Sequence, residues 1–164
     1  MKAITILATI AIIITSCNCQ KKATDSNVGT NTDTVIDAMT NKTQSTVPTI
    51  YYDATTRGFF MSIKIENQML YVTKERDFKE YPKGMKISDA DWKEISALAT
   101  AVDLEKVKDL KWPTEKRYYD GAAHANIIFE SKGVKYPANG FDHGFPPAEV
   151  EKLVNKITKL AEQE

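Results

Sequence analysis

The sequence predicts an α+β domain: an antiparallel sheet made from two hairpins, with helices on one face. Three observations predict it. Four stretches alternate apolar and polar residues and fall into two pairs joined by short turns. Two longer stretches repeat apolar residues at helical spacing. All fifteen Phe, Tyr and Trp residues follow Thr49, which confines the core to residues 50–164, enough chain for one domain. The expected order is ββαββα, which also suits a diverged internal duplication.

The elements follow from local pattern. "GFFMSIKI" places Phe59, Met61, Ile63 and Ile65 on one strand face, with Phe60, Ser62 and Lys64 on the other. Glu66-Asn67-Gln68 is a turn, and "MLYVT" is the returning strand. Ser88 is a good N-cap for "DADWKEISALATAV". Asp89 and Asp91 favour the positive helix end, and Trp92, Ile95, Leu98 and Val102 form the apolar stripe. "DLEKVKDL" reads as a second, short helix capped by Asp103 and stopped before Pro113. "HANIIFE", a Ser131-Lys132-Gly133 turn and "VKYPA" make the second hairpin. "PAEVEKLVNKITKLAEQE" closes the chain as a helix striped with Val150, Leu153, Val154, Ile157 and Leu160. Pro147 suits its first turn, where a missing N–H costs nothing.

Before the domain the composition changes. Met1-Lys2 and an uncharged run over residues 3–14 have the layout of a secretory signal, too short to span a membrane. Ile14-Thr15-Ser16-Cys17 resembles the lipobox of bacterial lipoproteins. That resemblance implies cleavage after residue 16 and lipidation of Cys17, with several acyl chains giving stable anchoring. Ser16-Cys17-Asn18 makes Cys19 a poor second candidate, and nothing near Cys19 marks an activated thiolate. Residues 20–49 include eight threonines and no aromatic residue, so residues 17–49 read as a lipidated cysteine and flexible tether.

Charge excludes one class of partner. In residues 50–164, 18 Lys and Arg are interspersed with 19 Asp and Glu, with no basic face for nucleic acid. Two polar clusters carry the candidate chemistry: "RYYDGAAH", with Arg117, Asp120 and His124, and "FDHG", with Asp142 and His143. They flank the second hairpin, so the fold can bring them to one sheet end. Asp120, His124, Asp142 and His143 are residue types that suit zinc, and a His–Asp pair suits a hydrolytic base. The spacings match no closed zinc site, no nucleophile stands beside a base, and no cofactor motif occurs.

A structural reading accounts for the same residues. Asp120-Gly121 is a turn with Gly121 at positive φ, Arg117 pairs locally with Asp120, and His124 packs at a strand start. In "FDHGFPP", Phe141 and Phe145 bury beneath the helix start, Asp142 favours the helix end, and His143 matters little. "KERDFKEYPKG" reads as a solvated loop. Tyr51-Tyr52 and Tyr118-Tyr119 read as strand packing, and Trp112-Pro113 as closure of the first helical unit.

From Arg57 onward the chain resembles a group of small Bacteroidetes lipoproteins. The matching stretches are "RGFF" at 57–60, "PTEKRYYDGAAHA" at 113–125 and "FDHGFPPAEVEKLV" at 141–154. The resemblance implies no activity and supplies no catalytic residue. In these bacteria, surface lipoproteins tend to carry an acidic run after the cysteine. Asn18-Cys19-Gln20-Lys21-Lys22 instead implies an outer-membrane position facing the periplasm. The expectation is an envelope-tethered binding or interaction module with a protein partner. A metal-dependent envelope enzyme using the two histidines, or an inhibitor of a secreted enzyme, stands as the alternative.

Overall fold

The structure, a computed structural model, describes residues 47–163. The expected signal peptide, Cys17 and most of the tether lie outside the described residues. Among those residues the strands are β1 (Thr49–Thr55), β2 (Phe60–Glu66), β3 (Met69–Thr73), β4 (Met85–Lys86), β5 (His124–Ser131), β6 (Val134–Pro137) and β7 (Phe141–Asp142). The helices are α1 (Asp89–Thr100) and α2 (Glu151–Ala161), with 3-10 helices at Leu104–Asp109 and Lys116–Tyr119. The sheet is antiparallel in the order β4-β3-β2-β1-β5-β6, and β7 pairs with β5.

The α+β class and the two hairpins are as expected. The observed order has three strands more than ββαββα: β1, β4 and β7. β1 is central, pairing with β2 on one side and β5 on the other. Its alternation is plain, since Ile50, Tyr52 and Ala54 are buried while their neighbours are not. It starts at Thr49, and Val47 also packs against the core, so the folded unit reaches into the threonine-rich stretch.

One sheet face forms the core. Ile50, Tyr52, Met61, Ile63, Ile65, Ile127 and Phe129 point to it, and Ile95, Leu153, Val154 and Ile157 cover it from the helices. Ser88 caps α1 by accepting from Asp91 N at 3.1 Å. Lys156 of α2 reaches Asp91 at 2.8 Å and Glu94 at 2.5 Å of α1, tying the helices together. The second helical stretch is a 3-10 helix, with Asp103 pairing with Lys106 at 2.9 Å. Both hairpins use two-residue loops, Asn67-Gln68 and Lys132-Gly133, with φ positive at each residue. That turn hand matches the twist of the flanking strands.

The closing helix starts later than Pro147 suggests. Residues 148–150 form a turn in which Val150 N bonds to Pro147 O, and α2 begins at Glu151. Its expected stripe is otherwise in place, with Val150, Leu153, Val154 and Ile157 buried and Leu160 partly so. No helix among the described residues is long and apolar enough to cross a membrane.

Candidate functional site

Three loops meet the sheet at the end where β1 finishes: residues 56–59, 111–123 and 143–148. β1 ends there at Thr55, opposite Phe60 and His124, and β7 sets Asp142 opposite His124. The two polar clusters therefore do reach one end of the sheet. They do not form one cluster of ligands. Strand alternation directs His124 and Asp142 away from the core face, whereas His143 turns to Tyr52 on the core face. Asp120 ends the 3-10 helix as an exposed residue with φ 58°, so it, and not Gly121, takes the left-handed conformation. Among the described residues no group of three or more His, Cys, Asp and Glu side chains is arranged to hold a metal ion.

Asp142 is the organising residue. It is fully buried and accepts from Thr114 Oγ1 at 2.5 Å, Lys116 N at 2.6 Å, Arg117 N at 3.1 Å and Arg117 Nη1 at 2.9 Å. These four donors fill the acceptor capacity of a carboxylate. Burial pushes the Asp142 pKa up, but bonds from Thr114, Arg117 and the Lys116 and Arg117 amides outweigh it and lower the pKa to about 2. Arg117 therefore pairs with Asp142, 25 residues away, and not with Asp120. Two of the four bonds come from backbone amides at the start of the 3-10 helix, so Asp142 caps that turn and not α2.

Arg117 passes this order outward. Its Nη1 also bonds Thr114 O at 3.1 Å, and its Nη2 donates to Tyr118 Oη at 3.0 Å. The guanidinium lies 5.0 Å from the Trp112 ring centre and 4.4 Å from that of Tyr118. Trp112, Arg117, Tyr118, His124, Asn139 and Gly140 line an open cleft of about 460 Å³. Tyr118 and Tyr119 are 67% and 71% exposed, so their expected role as strand packing is not what the fold gives them. Trp112 is exposed as well and does not close a helical unit.

The other loops complete this end. Phe59 is exposed and lies 5.5 Å from the His143 ring. Arg76 holds its loop by bonding Thr55 Oγ1 at 2.7 Å, Phe59 O at 3.3 Å and Thr56 O. Phe145, expected beneath the helix, is 38% exposed, with Lys116 Nζ 3.7 Å from its ring centre. Phe141 alone of that pair is buried, 6.3 Å from the Tyr52 ring. The β7 pairing explains the split: Phe141 sits opposite Ala125 on the core face, while Phe145 lies beyond the Gly144 turn.

His143 does more than expected. Its Nδ1 lies 2.6 Å from Tyr52 Oη. Burial raises the pKa of Tyr52, so its hydroxyl stays protonated and shares a hydrogen bond with the His143 ring whose direction follows the His143 tautomer. Burial also lowers the pKa of His143, against the opposing pull of Glu162. At neutral pH the native state therefore favours the uncharged His143 ring. Its stabilising share is present above the ordinary histidine pKa of about 6.5 and is lost as pH falls through the lower folded value. His143→Ala is expected to cost about 1–2 kcal/mol by leaving the buried Tyr52 hydroxyl unpaired, and to remove this part of the loss of stability as pH falls below about 6.5. Urea unfolding above and below that pH checks both.

No family model matches this chain, and no curated protein and no solved structure shows significant similarity to it. The sequence signal that could have found β1 is the alternation of "TIYYDAT"; none marks the Arg117–Asp142 pair in advance.

Proposed function

We propose that the chain is a lipid-anchored envelope module that binds a partner through the loop end of its sheet. One observation carries this reading. Phe59, Trp112, Tyr118, Tyr119 and Phe145, five of the six large exposed apolar or aromatic residues among the described residues, sit on these three loops. Exposed aromatics that need no burial for the fold are a mark of recognition surfaces, and rigid support lowers the entropy cost of binding. The buried Arg117–Asp142 pair and the Arg76 bonds supply that support.

The position of this end suits a tethered module. The chain enters the fold at Val47–Thr49, and β1 carries it about 20 Å along the sheet before the aromatic loops begin. The lipobox at residues 14–17 supports anchoring through Cys17, and the lysines after Cys19 support an outer-membrane position facing the periplasm. Two successive hairpin–helix units, β2–β3 with α1 and β5–β6 with α2, support the reading of a diverged duplication.

Two experiments test the proposal. Cys17→Ser is expected to abolish incorporation of a palmitate analogue in cells; equal labelling of wild type and variant rejects the anchor. A photo-crosslinking residue at Tyr119 is expected to trap an adduct of defined mass in the envelope, whereas one at Lys135, near the opposite end, traps none. Equal trapping at both positions, or none at Tyr119, rejects the binding surface.

A further inference from the structure

We propose that the cleft lined by Trp112, Arg117, Tyr118, His124, Asn139 and Gly140 binds a neutral oligosaccharide. This assignment rests on the loop end being the binding surface. A pyranose ring presents two kinds of surface, apolar C–H faces and a rim of hydroxyls that both donate and accept. The cleft offers a counterpart to each. Trp112 and Tyr118 supply aromatic rings that stay substantially exposed in the folded protein. Asn139 donates its Nδ2 to Lys108 O at 2.6 Å, which fixes the amide and leaves Oδ1 to accept from a ligand. His124 is exposed at the start of β5 and adds ring nitrogens that donate or accept.

Charge selects among ligand classes. The one permanently charged lining residue, Arg117, is already neutralised by Asp142 at 2.9 Å. An anion entering the cleft would compete with a buried carboxylate for that guanidinium, so an ionic ligand gains little. A wholly apolar ligand would strip water from Asn139 and His124 without replacing the hydrogen bonds. A neutral polyhydroxylated ring meets both limits. The volume, about 460 Å³, lies in the range of ordinary small-ligand sites.

Gly140 adds a structural requirement. A Cβ at this position would stand 2.1 Å from His124 Nε2, so the ring rests on bare backbone at the cleft floor. Alanine there must displace the His124 ring, which gives a way to disturb the cleft without touching the core.

The test is isothermal calorimetry on the full chain in a detergent lacking a sugar headgroup. The probes are cellohexaose, N-acetylated chitohexaose and maltohexaose, with an oligogalacturonate as the anionic comparison. Saturable binding of at least one neutral hexamer is expected, tighter than that of the anionic one. Trp112→Ala should weaken it roughly tenfold or more. Asn139→Ala and Gly140→Ala should weaken it too, with the circular dichroism spectrum unchanged. The inference is overturned if no neutral hexamer binds, if the anionic one binds tighter, or if neither Trp112→Ala nor Gly140→Ala alters the affinity. A crosslinked partner at Tyr119 with no hexamer binding leaves the binding surface standing and removes only the carbohydrate. Failure of both removes both.

Discussion

Asp142→Ala is expected to destabilise the domain by about 3–5 kcal/mol, because it leaves a buried guanidinium without its counter-charge. Arg117 keeps only 5% of its side chain exposed, and its compensation comes from a carboxylate with no exposure at all. The same change strands Thr114 Oγ1 and the amides of Lys116 and Arg117. A domain of this size has about 5–15 kcal/mol in total, so the variant should unfold at much lower urea. Chemical denaturation measures it. A loss under about 1 kcal/mol would mean the pair is not buried in solution.

Acid provides an independent check. The folded-state pKa of Asp142 is lowered to about 2, below the ordinary aspartate value near 3.9. A depressed carboxylate contributes stability that is complete above the unfolded value and is lost as pH falls toward the folded one. Wild-type stability should therefore drop between about pH 5 and 2. Asp142→Asn should be weaker at neutral pH and should lack this part of the acid dependence. An unchanged acid profile in Asp142→Asn would show that other carboxylates carry it.

Phe141→Ala should cost about 3–5 kcal/mol, the range for truncating a fully buried aromatic ring. Phe141 has no exposed surface and packs beside Tyr52 at the foot of β7. Phe145→Ala should cost about 1 kcal/mol or less, since that ring is 38% exposed and its neighbour is the flexible Lys116 side chain. The comparison is decisive because both residues flank the same Asp142–Gly144 turn. Thermal melts showing Phe145→Ala as the weaker protein would overturn this assignment of the core.

The two phenylalanines mark where reading the sequence reached its end. Within one element, periodicity sufficed: the β2–β3 and β5–β6 hairpins, the Ser88 cap and the α2 stripe were legible because each depends on residues a few positions apart. The alternation of β1 is visible, but nothing in it marks a central strand, because the adjoining threonine-rich composition reads as tether. β4 and β7 are two residues each, too short to carry a period. Phe141 and Phe145 are equivalent as sequence, and β7 pairing with β5 alone decides which is buried.

The sequence by itself determined the α+β class, the paired strands, the capped helix and the apolar stripes, since local propensity and side-chain period act over one element at a time. The tertiary structure decided the site. Proximity along the chain points Arg117 to Asp120, yet the fold gives it Asp142 and leaves Asp120 exposed. Likewise it parts His124 from His143 and turns Tyr118, Tyr119 and Trp112 outward. The reason is physical: a buried charge is satisfied by whichever partner packing brings within about 3 Å, and sequence distance does not enter that energy.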